Sequence, residues 1–335
     1  MTPRPLRKLL GAARRRWRAW RDGSPPVPVF FKLELSRACN LRCLHCGVPD
    51  DPPAPEGLPL ERWLALVEEI SAWAGPCHLT VVSGEPLLAD GFFPVVEKAA
   101  REGLAVTVVS NGTLIGAPEA RRLSEAGVRT LILSLDGARP ETHDLGRGVP
   151  GTHARVLAAL ERVCAAGLAP RTQLQAIIAA HNLAELPDLV RLAEERRLAG
   201  IRFQALQPRG EGWRRFWPED PGEVSRAIDA LLELQAGGSP VLNPAAQLEA
   251  LRTYYRDPGA EPAAVACRCA ATLYIARGGA VHLCRAMDPV GDVRSASLRG
   301  IWGSPPVRER LAAVRSCRRP CILMNCHYPA SGALW

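Results

Sequence analysis

Between residues 29 and 208, short apolar segments alternate with longer segments of helical periodicity, and this alternation restricts the fold more than any other feature. The segment 29–35, VFFKLEL, is typical of a strand, and 60–73, LERWLALVEEISAW, repeats its apolar residues at helical spacing. Six such alternations follow one another, with helices that end close to glycines. Helices that bridge consecutive strands make those strands parallel. We therefore predict an α/β fold, in which six units form an open sheet or a partial (β/α)6 TIM-like barrel.

Small polar residues follow four of the predicted strands at the point where each strand ends. A parallel α/β barrel builds its active site from the loops after its strands, so this clustering favours the partial barrel and predicts a site at that edge. Taken singly, each motif also fits a tight turn built on Gly, Asn or Asp. The motifs are Ser36 to Cys46, Ser83-Gly84-Glu85-Pro86, Ser110-Asn111-Gly112 and Ser134-Leu135-Asp136-Gly137.

The rest of the chain divides into three further segments. Residues 1–28 are predicted to form a basic amphipathic helix and linker, 209–262 a helical connector, and 263–335 a small cysteine-rich domain. Two helical segments flanked by Pro and Gly support the connector. The cysteine-rich segment begins with a predicted strand pair around Gly278 and Gly279.

The net charge of +8 is concentrated at the N-terminus. Eight of the 42 Arg and Lys residues lie in the first 21 positions, and the other 34 are balanced by 34 Asp and Glu. We therefore expect no nucleic-acid partner. Residues 4–21 place apolar side chains on one helical face and Arg or Lys elsewhere. Such a helix could cap the main domain, lie on a membrane surface or bind an acidic partner.

The cellular compartment that the sequence predicts determines whether the cysteines are reduced or form disulfides. No apolar run is long enough to cross a bilayer, and the N-terminus lacks the apolar core of a secretory signal. We therefore expect a cytoplasmic protein whose eleven cysteines stay reduced. Most are better interpreted as metal ligands than as disulfides. Cys77 and Cys164, within the apolar repeats, are predicted to be buried core thiols.

Three cysteines, Cys39, Cys43 and Cys46, form a C-x3-C-x2-C group directly after the first predicted strand. A structural zinc site needs a fourth ligand, which His45 or His78 could provide. A [4Fe–4S] cubane held by three thiolates instead leaves one iron open to another molecule. An iron with an open position can bind a ligand and take part in catalysis, whereas a zinc ion with four protein ligands would stabilise the structure.

The segment CNLRCLHC, residues 39–46, resembles the signature loop of the radical S-adenosylmethionine (SAM) enzymes. The resemblance covers residues 29 to about 208 and implies a [4Fe–4S] cluster on the three cysteines, with SAM bound to its fourth iron. It also implies an electron donor such as flavodoxin or ferredoxin. One electron from the cluster would cleave SAM, and the 5′-deoxyadenosyl radical would abstract hydrogen from a substrate C–H bond.

Further motifs extend this resemblance. SGEP, residues 83–86, is similar to the family's GGEP element, with Ser83 in place of the first glycine. His45 occupies a position that is often aromatic in the family and lies near the adenine. HDLGRGVPG resembles the segment whose arginine, here Arg147, approaches the SAM carboxylate, although a solvated loop arginine is the alternative. The residues thus assigned to SAM are His45, Ser83, Gly84, Glu85, Pro86, Ser110, Asn111, Ser134, Asp136 and Arg147.

The C-terminal cysteines resemble the auxiliary-cluster domain of radical SAM enzymes, of the SPASM kind or its shorter twitch form. Gly279 to Cys284 fits the G-x4-C element of that domain. Only six cysteines follow residue 260, so the resemblance implies one auxiliary [4Fe–4S] cluster rather than two. A zinc ribbon is the alternative. The expected ligands are Cys269, Cys284, Cys317 and Cys321, with Cys267 and Cys326 as alternates.

The resemblance implies a radical SAM enzyme of oxidoreductase type, and we expect it to modify a peptide oxidatively, as in natural-product maturation. Dehydrogenation of a small polyol, such as an aminocyclitol or sugar, is the alternative. A non-catalytic zinc-binding interaction module is a third hypothesis of another class. Gln173, Gln175, Arg202 and Gln204 could face the substrate, but none is a carboxylate, so no catalytic base is predicted.

Overall fold

The computed structural model describes residues 25–46, 56–82, 84–207, 213–259 and 267–319. The predicted helix at residues 4–21 lies outside the described residues, as do Ser83, Cys321 and Cys326. Among the described residues, no helix has both the length and the apolar character needed to cross a bilayer.

One sheet of nine strands organises the described part of the chain. The strands are β1 (Phe30–Glu34), β2 (His78–Val82), β3 (Ala105–Ser110), β4 (Thr130–Ser134), β5 (Thr172–Ile178), β6 (Gly200–Ala205), β7 (Thr272–Ile275), β8 (Ala280–His282) and β9 (Gly291–Asp292). Their order in the sheet is β6-β5-β4-β3-β2-β1-β7-β8-β9. Strands β1 to β6 are all parallel to their neighbours, which confirms the predicted α/β fold with a partial barrel.

Helices connect the parallel strands, as the alternation predicted. These are α1 (Leu60–Ala74), α2 (Phe92–Arg101), α3 (Ala117–Glu125), α4 (Pro140–Arg147), α5 (Thr152–Ala165) and α6 (Leu186–Glu195). Both α4 and α5 lie between β4 and β5, where one helix was predicted from the sequence. The last turn of α4 carries Arg147, which therefore belongs to a helix and not to a loop.

The two faces of the barrel strands differ in burial. Residues such as Phe31, Leu33, Leu174 and Phe203 point towards the helices and are fully buried in the core. The residues that alternate with them face the other side, and most are only half-buried, as in β5. The six strands therefore enclose an inner face, here called the lumen, that is less densely packed than the helical face.

The C-terminal cysteine-rich segment continues the same sheet. Strand β7 pairs in parallel with β1, and β8 and β9 then follow in antiparallel fashion. The predicted strand pair around Gly278 and Gly279 is present as β7 and β8, and Gly279 has a φ of +99°. Two short helices, α9 (Leu298–Trp302) and α10 (Pro305–Arg315), complete this region. Their numbers follow those of the two connector helices, which precede them in the chain. The division of the chain into four segments stays a prediction.

The connector contains α7 (Pro221–Ala236) and α8 (Ala245–Arg256). Two tyrosines of α8 reach the ends of the last barrel strands. The Tyr255 hydroxyl donates to the carbonyl of Ile178 and accepts from the N–H of Leu206, and the Tyr254 hydroxyl donates to Leu206 at 3.0 Å. The connector therefore closes the carboxyl edge of the barrel beside β5 and β6.

Candidate radical SAM site

The loop that carries the first three cysteines, residues 35–46, leaves the carboxyl end of β1 and docks on the last turn of α4. The backbone N–H of Arg42 donates to the carbonyl of Arg147 at 3.2 Å, and that of Leu44 donates to Gly146 at 3.2 Å. These hydrogen bonds give the loop a defined path without regular secondary structure. The position of α4 therefore decides where the cysteines lie.

Two glycines allow neighbouring segments to approach this loop closely. Gly84 has a φ of +46° and Gly148 a φ of +68°, both in the region that favours glycine. A Cβ atom on Gly84 would lie 2.3 Å from the carbonyl oxygen of Ala38, and one on Gly148 would lie 2.3 Å from that of Arg42. Gly84 was predicted to belong to the site. Gly148 was not predicted to belong to the site, although a glycine directly after a helix is a recognisable signal of a helix end.

The thiols of Cys39, Cys43 and Cys46 are half-buried and form no disulfide with a described residue. Burial raises the pKa of Cys43, and the nearby charge of Arg147 opposes this rise. Within the described ranges, no three Cys, His, Asp or Glu side chains could together hold a single metal ion. A cubane does not require such convergence, because each cysteine binds a different iron atom. Three thiols on one loop, next to a buried cation, therefore fit an anionic iron–sulfur cluster.

Arg147 and Asp136 form a buried ion pair beside this loop. The Arg147 Nη2 atom lies 2.8 Å from Asp136 Oδ2, and its Nη1 atom lies 3.8 Å from the sulfur of Cys43. Burial tends to raise the pKa of Asp136, but Arg147 and nearby histidines outweigh it and hold this pKa below its usual value. Arg147 is 8% exposed, so it is not the solvated loop arginine that the sequence allowed.

Three histidines lie around the ion pair, and only His45 was predicted from the sequence. Burial lowers the pKa of His45 to about 4 and that of His143 to about 3. The Nδ1 atom of His143 accepts a hydrogen bond from the backbone N–H of Asp136 at 3.0 Å. Both ring nitrogens of His181 are buried without a partner among the described residues, and the ring packs against Phe216. The surroundings of the ion pair are therefore lined by neutral imidazoles at physiological pH.

Glu85 is a buried carboxylate that joins the segment after β2 to the end of β3. Its Oε1 atom accepts from the hydroxyl of Ser110 at 2.9 Å, and its Oε2 atom accepts from the backbone N–H of Asn111 at 2.7 Å. Burial raises the pKa of Glu85, and these hydrogen bonds oppose the rise. The structure thus brings Glu85 and Ser110 together at one edge, where they bind each other.

Asn111 links this edge to the cysteine loop. Its Nδ2 atom donates to Asn40 Oδ1 at 2.9 Å and lies 3.9 Å from the sulfur of Cys39. Pro86 is buried and starts a short 3-10 turn, and Ser134 is half-buried at the end of β4. Asn111 and Arg147 are thus predicted residues whose side chains contact the cysteine loop, and Asp136 is linked to the loop through Arg147.

The auxiliary cysteines are also grouped. The Cys269 thiol forms hydrogen bonds with the thiols of Cys267 and Cys284, and these bonds raise the pKa of Cys269. The bond between Cys269 and Cys284 has the opposite effect on Cys284, whose pKa it lowers. Cys317 is half-buried and follows α10, while Cys321 lies outside the described residues. The structure therefore places Cys267, expected only as an alternate, with two of the four expected ligands.

Glu34 was not predicted from the sequence, yet it joins the two cysteine regions. This carboxylate is 1% exposed at the carboxyl end of β1 and accepts a hydrogen bond from the hydroxyl of Tyr274 on β7. Arg37 lies 3.5 Å and Arg285 4.0 Å from its oxygens. A signal was present, because Glu34 interrupts an apolar strand five positions before Cys39.

Comparison with known proteins places the site in a family. Residues 33–193 match the profile of the Radical SAM superfamily. The AdoMet-dependent heme synthase of Methanosarcina barkeri is 26% identical over 322 residues, which cover 90% of this chain and 89% of that protein. The mycofactocin maturase MftC of Mycobacterium ulcerans is 30% identical over 202 residues, covering 59% of this chain. The chain spans about half the length of this maturase (54%).

The fold also has counterparts among solved structures. Streptococcus suis SuiB bound to S-adenosylmethionine superposes with a TM-score of 0.72 at 14% identity, over 94% of this chain and 74% of that one. Identity this low shows a shared fold. The family match, by contrast, includes the loop with Cys39, Cys43 and Cys46. Residues 33–193 therefore form a radical SAM domain, and members of that superfamily use a [4Fe–4S] cluster and S-adenosylmethionine.

Proposed function

We propose that this radical SAM enzyme holds its [4Fe–4S] cluster through Cys39, Cys43 and Cys46 and removes a hydrogen atom from a C–H bond of a peptide, in an oxidative modification. When bound, the cluster and SAM supply the 5′-deoxyadenosyl radical for this step. The observation that carries the proposal is the grouping of three thiols on one loop beside the buried pair of Arg147 and Asp136.

Arg147 has a defined role in this proposal. Its guanidinium lies 3.8 Å from the sulfur of Cys43 and provides a fixed positive charge that favours the thiolate form. Asp136 binds the other terminal nitrogen of the guanidinium, Nη2, at 2.8 Å. The charge is therefore already oriented before any ligand binds, which is the condition for electrostatic stabilisation without reorganisation.

We assign SAM to the carboxyl edge of the barrel, between the segments that contain Gly84, Asn111, Ser134 and Asp136. The hydrogen bonds of Glu85 to Ser110 and Asn111 support this assignment because they fix two of these segments to each other. In this arrangement Glu85 and Ser110 position the edge, whereas Asn111 and Ser134 offer polar atoms to the ligand.

The auxiliary [4Fe–4S] cluster is part of the same proposal. The mutual contact of Cys267, Cys269 and Cys284 supports these three as ligands, with the fourth from Cys317, Cys321 or Cys326. Glu34 and Tyr274 form a hydrogen bond between the strand that leads to Cys39 and the strand pair that leads to Cys284. A second cluster there would be placed to accept the electron that an oxidation releases.

The comparisons supply two candidate substrate classes. A peptide is supported by the maturase MftC and by the structure of SuiB bound to precursor peptide SuiA. A tetrapyrrole is the second candidate, favoured by the heme synthase relative, since that similarity extends over nearly the whole of both chains. We do not adopt the zinc-binding module, because residues 33–193 match the Radical SAM superfamily.

Anaerobic reconstitution with iron and sulfide, followed by SAM and dithionite, tests the class of reaction. We expect 5′-deoxyadenosine in the wild type and none in Cys43→Ala. The matched control is Cys164→Ala, because Cys164 is a half-buried thiol on α5, away from the cysteine loop. Release of 5′-deoxyadenosine by Cys43→Ala at the wild-type rate would refute the proposal.

A further inference from the structure

Glu185 is a buried carboxylate on the segment after β5, directly before α6. Each of its two oxygens accepts two hydrogen bonds. Oε2 accepts from the backbone N–H groups of Ala138 and Arg139 at 2.8 Å and 3.0 Å. Oε1 accepts from the Nε atom of Arg139 at 2.8 Å and from the hydroxyl of Thr142. All four donors therefore lie in the turn after β4 and in the first turn of α4.

This carboxylate anchors a helix start that has no capping side chain of its own. Arg139, the residue before α4, makes no side-chain capping hydrogen bond. Burial tends to raise the pKa of Glu185, but the hydrogen bonds from Thr142, Arg139 and Ala138 outweigh it and hold this pKa below its usual value. Glu185 is therefore an anion at physiological pH, and a negative charge near the first turn of a helix also suits the helix dipole.

The segment after β5 also holds Asp136. The Nδ2 atom of Asn182 donates to the carbonyl of Asp136 at 2.7 Å, and the backbone N–H of Ile177 donates to Asp136 Oδ1 at 3.0 Å. Asp136 and the start of α4 are therefore attached to one support, residues 177–185.

Arg147 lies at the other end of α4 and connects this support to the cysteine loop. Its guanidinium is 2.8 Å from Asp136 Oδ2 and 3.8 Å from the sulfur of Cys43. Helix α4 has only eight residues, so a displacement of its first turn is passed on to its last turn. The distance between Arg147 and Cys43 therefore depends on how firmly Glu185 holds the start of the helix.

We infer that Glu185 is a positioning residue that, through α4, fixes the Arg147 guanidinium beside the sulfur of Cys43 and thereby tunes the reduction potential of the [4Fe–4S] cluster. This inference rests on the proposed function, which assigns that cluster to Cys39, Cys43 and Cys46. The potential of an iron–sulfur cluster depends on nearby charge and on hydrogen bonds to its sulfurs. A cation beside the cluster favours the reduced, more negative form, so loosening Arg147 should make the potential more negative.

The test measures the reduction potential of the reconstituted enzyme without SAM, by redox titration followed by electron paramagnetic resonance. The signal that is missing in Cys43→Ala belongs to the cluster on the cysteine loop. At a fixed solution potential, we expect Glu185→Gln to lower the ratio of reduced to oxidised cluster at least about threefold. Glutamine keeps one acceptor oxygen but turns an amide N–H donor towards groups that are donors themselves.

Two further variants of the helix start complete this series. Thr142→Val removes one of the four donors and should shift the potential in the same direction by a smaller amount. Glu119→Gln is the matched control, because the Glu119 carboxylate accepts from the backbone N–H of Gly116 at 2.9 Å at the start of α3. Its loss removes a hydrogen bond from another helix start and should leave the potential unchanged.

A double variant shows whether Glu185 acts through Arg147. Arg147→Met should make the potential more negative by itself, and Glu185→Gln should cause no further change in that background. A shift by Glu185→Gln that is equally large with and without Arg147 overturns the inference. So does a wild-type potential in Glu185→Gln or in Arg147→Met.

The two proposals can fail separately. If Glu185→Gln does not fold, Thr142→Val decides, and a wild-type potential in that variant overturns the inference. In each of these outcomes the cluster is still bound, so only the role of Glu185 is wrong. If the wild type and Cys43→Ala give the same signals, the cluster is not held by the cysteine loop, and the proposed function itself is wrong.

Discussion

Arg147 and Asp136 form an ion pair in the protein interior, with 2.8 Å between Nη2 and Oδ2. Asp136 follows β4, and Arg147 ends α4. The cysteine loop donates two backbone hydrogen bonds to the last turn of the same helix. The place of the three cysteines therefore depends on two buried charges, each of which is tolerated only because the other is present.

Removing one partner of this pair should destabilise the fold. Asp136→Asn leaves the Arg147 guanidinium buried without a counter-charge, and we expect the free energy of unfolding to fall by about 3 kcal/mol. Urea titration measures this change. In the double variant Asp136→Asn/Arg147→Met the loss should be smaller than the sum of the two single losses, because no charge is left unpaired.

The exposed pair of Arg122 and Glu97 is the control for that experiment. Its atoms are 2.9 Å apart, but the arginine side chain is 51% exposed. Glu97→Gln should change the free energy of unfolding by less than about 1 kcal/mol. Strictly additive losses in the Asp136 and Arg147 double variant would contradict the coupling described above.

Close backbone contact, rather than glycine flexibility in general, should limit substitutions beside the cysteine loop. Gly84→Ala and Gly148→Ala each place a Cβ 2.3 Å from a carbonyl oxygen of the loop, so the loop must move. We expect both variants to hold less iron after reconstitution and to form less 5′-deoxyadenosine. Iron assay per mole of protein measures the first effect and chromatography the second.

Gly103→Ala separates backbone strain from steric contact. Gly103 has a φ of +80°, but a Cβ there meets no atom within 4 Å. This variant should lose about 1 kcal/mol of stability and keep its full iron content. If Gly103→Ala lost iron as Gly84→Ala does, strain and not contact with the loop would be the cause.

The sequence predicted the sheet well because its signal is local. The strand expected at 29–35 is observed at Phe30–Glu34, and the helix expected at 60–73 is observed at Leu60–Ala74. Alternating burial along each strand is encoded by neighbouring residues, so it can be identified without tertiary information. The polar residues after β2, β3 and β4 meet at one edge for the same reason, because parallel strands end there together.

Other features depend on contacts between distant segments. Pairing of β7 with β1 joins residues about 240 positions apart, and no local pattern in Thr272–Ile275 specifies that partner. His143 and His181 lie beside Asp136 only after α4 and β5 have packed, and an isolated histidine carries no spacing signal. The family resemblance ranked Cys267 below Cys317, whereas the fold places the Cys267 thiol within hydrogen-bond reach of Cys269.

Acidification should weaken the fold through His143. Its pKa is about 3 in the folded protein and 6.5 in the unfolded chain. As the pH falls below 6.5, the unfolded state binds a proton that the folded state excludes, so the free energy of unfolding decreases. His45, with a folded pKa of about 4, acts with the same sign. The lowered pKa of Asp136 changes the free energy of unfolding only when the pH falls below the usual aspartate pKa of 3.8, which is outside the pH range in which the two histidines act.

His143→Asn should reduce this pH dependence. Asparagine can still accept the hydrogen bond from the Asp136 N–H, but it cannot be protonated. Urea unfolding between about pH 6.5 and pH 4.5 should give a slope that is smaller by up to about 1.4 kcal/mol per pH unit. An unchanged slope in a folded His143→Asn would show that another group controls acid unfolding.

Cys267→Ser tests which thiols hold the auxiliary cluster. Cys269 forms thiol hydrogen bonds with both Cys267 and Cys284, so the three sulfurs lie together in the segments that flank the β7–β8 hairpin. We expect the wild type to bind about eight iron atoms per chain after reconstitution, and Cys267→Ser to bind about four, because the first cluster is retained. The variant should still cleave SAM when dithionite supplies the electron, but it should not complete the oxidation of a substrate.

Cys164→Ser is the matched control. Cys164 lies on α5, where its sulfur is 3.9 Å from the Arg196 carbonyl, and this variant should keep all of its iron. Full iron content in Cys267→Ser would instead favour the set implied by the family resemblance, with Cys317 and Cys321 beside Cys269 and Cys284.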